Sequence, residues 1–191
     1  MTRTLDELDW PLRTDRLVLR RGRSEDAAQV WPWYGLPEVQ EWTTTLSATL
    51  EEHQQWWDRT LDSCVVGLQG GRIVVTGKLE RQDAWSQADM REQAAGQKAE
   101  LGWVLAPSAQ GQGLGTEFAA ALLDIAVDGL GVHRVEASCF AENLASRRVM
   151  EKIGLRLEGV FREESLHRSG RWLDGMTYAI LANEHRAQQS G

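Results

Sequence analysis

The order of local signals in this chain of 191 residues predicts a mixed α/β domain, one sheet with helices on both faces. Three observations carry this. Short β-branched or alternating runs recur along the whole length. Glycine pairs or Ser-Gly join two of these runs to their successors as hairpins. Helix-start signals separate the others, so the order reads strand, two helices, hairpin, strand, helix, strand, helix, hairpin. The length suits a single domain over 1–191 with a sizeable core.

Taken in order, residues 1–13 read as a loosely ordered lead-in. Arg16–Arg20 alternates polar and apolar and reads as a strand. Ser24, followed by Glu25 and Asp26, is an N-cap candidate for a helix that stops before Pro32 or at Gly35. Thr49 and Glu52 form a capping-box pattern opening a second helix. Residues 64–69 and 72–80 make a hairpin across Gly70-Gly71, and 81–97 reads as a long polar loop. Ala99–Ala106 is a strand stopped by Pro107. A helix follows over Thr116–Val127, with Phe118, Leu122 and Ile125 on one face and Gly129 as its end. His133–Ala141 is a strand, and Asn143–Ile153 a helix closed by Gly154. Leu155–His167 and Trp172–Leu181 form the last hairpin, and 183–191 reads as a frayed polar tail.

Composition excludes several classes. A net charge of −7 argues against a nucleic-acid partner, which needs a basic face, and suits a cationic amine partner or simple solubility. No apolar run is long enough to span a membrane, and the first ten residues lack a signal-peptide core. Cys64 and Cys139 form no paired motif, and the histidines are scattered, so no metal site is expected. A reducing, cytoplasmic setting follows by default. Five of the nine tryptophans, Trp31, Trp33, Trp42, Trp56 and Trp57, fall within residues 31–57, as core or as the lining of an acceptor pocket.

The strongest local chemistry lies in Gln110-Gly111-Gln112-Gly113-Leu114-Gly115-Thr116, between a strand and a helix. Glycines let backbone approach a ligand, and a helix N-terminus offers free N–H groups and positive partial charge. Together they suit a pyrophosphate. The turn matches neither the dinucleotide-binding GxGxxG nor a P-loop, because no Lys-Ser/Thr follows.

Gln110-x-x-Gly113-x-Gly115 resembles the Q/R-x-x-G-x-G/A motif of GNAT acyltransferases. Four further stretches resemble the RimJ/RimL-like branch of that superfamily, in its order: Thr14–Arg20, Glu100–Leu105, Asn143–Ser146 with Met150–Leu155, and Gly170–Asp174. The resemblance implies a twisted, mostly antiparallel sheet whose middle strands splay around acetyl-CoA as acyl donor. It implies that backbone of Trp103, Val104 and Leu105 pairs with the pantetheine arm, as in strand addition. Backbone N–H groups from Gln110, Gly111, Gln112, Gly113, Leu114, Gly115 and Thr116 would hold the pyrophosphate. Asn143 would bind the arm near its thiol, act as a helix N-cap, or do both.

Moving an acyl group to a primary amine needs a base for the ammonium, donors for the thioester oxygen and a proton for the thiolate. Glu100 is the candidate base or an ordinary strand glutamate paired to Arg or Lys, with Glu136 and Glu164 as weaker candidates. Many GNAT enzymes carry a tyrosine seven residues after the motif asparagine, where this chain has Met150. Ser146, one turn earlier, donates to the sulfur, orients it, or is a surface serine. The acceptor implied is a protein N-terminal amine or a small amine such as an aminoglycoside. A larger acyl group such as succinyl would call for an arginine that the sequence does not place. An acyl-CoA-binding module without turnover is the competing class. Sheets of this kind often pair edge to edge, so a homodimer is an allowed assembly.

Overall fold

The computed structural model describes residues 3–189. Its eight strands are β1 (Leu12–Arg13), β2 (Val18–Arg21), β3 (Cys64–Gln69), β4 (Arg72–Gln82), β5 (Lys98–Leu105), β6 (Arg134–Phe140), β7 (Arg156–Leu166) and β8 (Trp172–Leu181). They form one sheet in the order β1-β2-β3-β4-β5-β6-β8-β7. Every neighbouring pair is antiparallel except β5 and β6. The helices are α1 (Asp26–Tyr34), α2 (Pro37–Gln40), α3 (Leu50–Thr60), α4 (Arg91–Ala94), α5 (Leu114–Asp124), α6 (Leu144–Lys152) and α7 (Ala182–Gln189). The mixed α/β sheet with helices on both faces is therefore the architecture of the chain.

Alternation along the strands sends side chains to two cores. Leu79, Ala99, Leu101, Val135 and Tyr178 join Phe118, Leu122 and Met150 in the larger one, which packs α5 and α6 against one face. Ala27, Val30, Tyr34 and Trp57 pack α1 and α3 over Cys64, Val66 and Ile73 on the other. Gly67 and Gly77 leave room for the Phe118 ring, with which a Cβ at Gly77 would collide.

Both expected loose ends are ordered within the described residues. Leu5 is buried, the Trp10 indole donates to the Leu5 carbonyl at 2.6 Å, and β1 pairs with β2. The tail forms α7, whose His185 is buried and meets Asp124 at 2.8 Å. Residues 1–2 and 190–191 of those ends lie outside the described residues. The long loop is also partly regular. The hairpin strand runs to Gln82, and a 3-10 turn at Ala88–Met90 leads into α4. The helix α1 continues through Pro32 for two residues, and Ser24 does not cap it. Its hydroxyl instead bonds the Gln54 amide at 3.0 Å.

One buried group makes folding sensitive to acid. His53 is fully buried, and neither ring nitrogen has a hydrogen-bond partner. Trp31, Tyr34, Trp56 and Trp57 surround it at ring distances of 4.9 to 5.8 Å. Burial pushes its pKa down from 6.5 to about 4. The unfolded chain binds a proton that the folded chain refuses. This contribution is therefore complete above the unfolded pKa and is lost as pH falls from there through the folded value. It amounts to ~3 kcal/mol. Urea midpoints should fall between pH 7 and pH 4, and His53→Phe should flatten that fall. An equally steep fall in the variant would assign it to other groups.

Candidate active site

The parallel pair β5 and β6 stays together for only three positions, Lys98↔Arg134, Ala99↔Val135 and Glu100↔Glu136. Beyond these the strands diverge, while β4 follows β5 to Leu105 and β8 follows β6 to Phe140. The inner backbone edges of Leu101–Leu105 and Ala137–Cys139 thus open on a cleft of about 830 Å³. Trp103 and Leu105 pack towards the larger core and Val104 towards the smaller. Their backbone groups on the inner edge are left for a ligand, and a peptide-like arm could pair with them.

The glycine turn forms one end of the cleft. Gly111 and Gly113 hold φ of +72° and +78°, where side chains are strained. The helix α5 starts at Leu114, two residues earlier than the sequence reading, with Gly113 as its N-cap. The Gln110 N–H is bonded to the Pro107 carbonyl at 3.2 Å, so it is not among the free donors. From Gly111 to Thr116 no backbone N–H has an acceptor among the described residues. A run of unpaired donors at the positive end of a helix suits an anion. Gly115 has a different task. A Cβ there would press on Leu105 at 3.2 Å, so this glycine lets α5 lie close on β5.

The opposite wall comes from α6. The Asn143 side-chain oxygen accepts the Ser146 N–H at 3.0 Å and caps the helix. Its amide nitrogen has no partner among the described residues, and Asn143 lines the cleft. Ser146 and Cys139 line it too. Met150, in contrast, is fully buried in the larger core. The side chain seven residues past Asn143 is therefore part of the core and does not line the cleft.

Glu100 lines the cleft where the strands begin to part. One of its oxygens lies 2.8 Å from the Lys78 ammonium, and the other accepts from the Gln82 amide at 3.3 Å. Burial works to lower the Lys78 pKa, but the hydrogen bond and charge of Glu100, with those of Glu80, hold it above its ordinary value. The carboxylate is therefore both cleft-facing and ion-paired. Glu136 is taken up by Lys98 and Arg134, and Glu164 lies over Gly175; neither lines the cleft.

Residues 16–156 match the family model of the acetyltransferase (GNAT) domain. The chain belongs to the GNAT acetyltransferase family. Among individual relatives, the N-acetyltransferase YnaD of Bacillus subtilis (strain 168) is 41% identical over 85 residues, 44% of this chain and 49% of that protein. The match thus spans about half the length of that relative. A GNAT-family acetyltransferase from Bacillus anthracis superposes with a TM-score of 0.77 at 26% identity, over 91% of this chain and 99% of the other. RimJ of Mycobacterium smegmatis, solved with CoA-disulfide, shares the fold with a TM-score of 0.73 at 23% identity, over 92% and 89% of the two chains.

In this GNAT chain the opening motif Thr14–Arg20 braces the glycine turn from a distance. Arg16 donates to the Gln112 carbonyl at 2.8 Å and pairs with Glu117 of α5 at 2.7 Å. The Thr14 hydroxyl donates to the same carboxylate at 2.5 Å. Burial works against the charge of Glu117, yet these bonds hold its pKa below the usual value. Arg16 and Glu117 were not site candidates in the sequence, because 101 residues separate them. Of the five early tryptophans, Trp42, Trp56 and Trp57 line the cleft and Trp31 and Trp33 do not. Among the described residues, no helix is long and apolar enough to cross a membrane.

Proposed function

We propose that this GNAT chain is an N-acyltransferase of the RimJ/RimL-like branch that moves an acetyl group from acetyl-CoA to a primary amine. The observation that carries the proposal is one cleft uniting a free strand edge, the unpaired N–H run of Gly111–Thr116 and the spare amide of Asn143, with Glu100 beside them. These donors fit a diphosphate and an amide-bearing arm. Acetyl-CoA supplies an activated acyl group as its thioester. Glu100 is assigned to accept the ammonium proton through water, with Lys78 anchoring the carboxylate. Ser146 is assigned to orient the sulfur from the α6 N-terminus.

Transfer is by direct attack within a ternary complex. Both cysteines line the cleft, but a thiol must ionise to take up an acyl group. Burial pushes Cys64 up to about 12 and Cys139 up to about 11, so neither is a thiolate at neutral pH.

Thiol release from acetyl-CoA across a panel of amines, with cofactor binding measured by calorimetry, tests the reading. Acceptor-dependent release is expected. Glu100→Gln should lower kcat by ~100-fold while the acetyl-CoA Kd changes less than ~3-fold. A variant that binds and transfers like the parent would remove Glu100 from the base role. The burial of Met150 favours one second reading, an acyl-CoA-binding module; it predicts binding without release from any amine.

A further inference from the structure

The wall of the cleft made by α1 and β4 holds polar groups that the acyl-transfer roles assigned above leave unused. Tyr34 ends α1 and is only 3% exposed, yet it lines the cleft. Its hydroxyl has no hydrogen-bond partner among the described residues, and it is not one of the fully enclosed unpartnered atoms. What remains exposed of this side chain therefore opens towards the cleft. Burial raises the Tyr34 pKa, so the hydroxyl is a donor at neutral pH. Thr76 of β4 is 4% exposed, lines the same cleft, and its hydroxyl is likewise unpaired. A hydroxyl that has no protein partner and opens on a cleft is free to bond a ligand there.

Beside Tyr34 stands an aromatic wall. The Trp56 ring lies 5.4 Å from Tyr34 and 6.3 Å from Trp57, the latter edge-on. Such a wall favours a planar apolar group. A third observation concerns size. The loop after α2 is tied to the β7–β8 turn: the His167 ring meets the Glu41 carbonyl at 3.0 Å, and Arg168 donates to the Thr43 carbonyl at 2.6 Å. The Trp42 ring packs against Phe140 and His167 at 5.9 and 5.1 Å. The two flanking loops are thus bonded together beside the cleft, which narrows the approach for an extended chain.

Resting on the acyl-transfer reading above, we infer that the acceptor is a small primary amine bearing a planar ring with a hydrogen-bonding substituent. The ring seats on Trp56, and the substituent meets Tyr34 and Thr76. A polypeptide N-terminus, with no ring to seat and a chain to carry past the bridged loops, is the acceptor this end of the cleft disfavours.

The experiment compares tyramine, phenethylamine, butylamine, spermidine and an alanyl peptide as acceptors with the full chain and acetyl-CoA. Calorimetric binding of each amine to the CoA-loaded protein is measured in parallel. Tyramine should exceed phenethylamine in kcat/KM by ~10-fold or more, because a site built to bond a hydroxyl discriminates against its absence. The peptide should rank last. Tyr34→Phe should collapse the tyramine-to-phenethylamine ratio towards one, and Trp56→Leu should lower both ring amines relative to butylamine by ~10-fold. Unaltered acetyl-CoA affinity shows that each variant is folded. Spermidine or the peptide as best acceptor, or a ratio that survives Tyr34→Phe, would overturn the inference. Tyramine binding without release from any amine would instead overturn acyl transfer and leave the ring-amine site standing.

Discussion

Gly113→Glu is expected to raise the acetyl-CoA Kd at least ~100-fold, a loss of ~2.7 kcal/mol, while the chain remains folded. Gly113 holds φ of +78° as the N-cap of α5, and its neighbours through Thr116 offer the unpaired N–H groups. A glutamate there places a carboxylate where the diphosphate is proposed to sit. Repulsion between the two anions and the bulk of the side chain act in the same direction. The fold is less affected. An ideal Cβ at Gly113 meets only the Arg16 guanidinium, at 3.4 Å, and an acid at a helix N-terminus is electrostatically acceptable. The left-handed backbone adds strain of ~1 kcal/mol. Gly111→Ala is the control. It shares a positive φ, but nothing lies within 4 Å of its Cβ, so it should carry the strain without the charge. Calorimetry with a thermal melt separates binding from folding. An affinity within ~3-fold of the parent would remove the diphosphate from this turn.

The parts of the site legible in the sequence are those set by near neighbours. Gly111 and Gly113 announce positive φ, and Asn143 three residues before Ser146 announces a cap. Of the Thr49–Glu52 box one half forms as written: the Thr49 hydroxyl accepts from Glu52 N–H, while the Glu52 carboxylate accepts from Ala48 N–H in place of that of Thr49. The Ser24 cap failed for a long-range reason. The carboxylate of Asp26 is drawn to Arg20 of β2, which sets the start of α1 without a serine cap. Composition misled at the tail for a similar reason. The helix α7 is polar, yet Glu184 accepts from the Leu181 N–H and pairs with Arg156, while His185 reaches Asp124. The Arg16–Glu117 clamp and the exposure of Tyr34 to the cleft depend on how the elements pack. No spacing in the chain encodes them. For Glu100 the sequence offered a base or an ion pair, and the geometry shows a cleft-facing carboxylate that is also paired, leaving kinetics to divide the roles.

Asp26→Ala should destabilise the protein by ~3–5 kcal/mol, a large share of the ~5–15 kcal/mol typical of a whole domain. Asp26 is fully buried at the first turn of α1. Its two oxygens receive Arg20 at 2.6 and 2.7 Å in a forked pair, and one also receives the Arg23 N–H at 2.8 Å. The Asp26 hydrogen bonds and charge outweigh burial and hold Arg20 above its ordinary pKa. Truncation removes all three bonds at once and leaves a guanidinium, with only 19% of its side chain exposed, beside an empty site. The cost is that of an uncompensated charge, more than that of a lost contact. Arg20→Met combined with Asp26→Leu should therefore recover part of the loss, since both desolvation penalties disappear together. Urea denaturation at pH 7 measures both variants; a loss under ~1 kcal/mol in Asp26→Ala would show that water solvates the pair in solution. The effect should reach function as well. The same α1 that Asp26 anchors at its start carries Tyr34 at its end, so at temperatures where Asp26→Ala is still folded, its discrimination among ring amines should weaken before its acetyl-CoA affinity does.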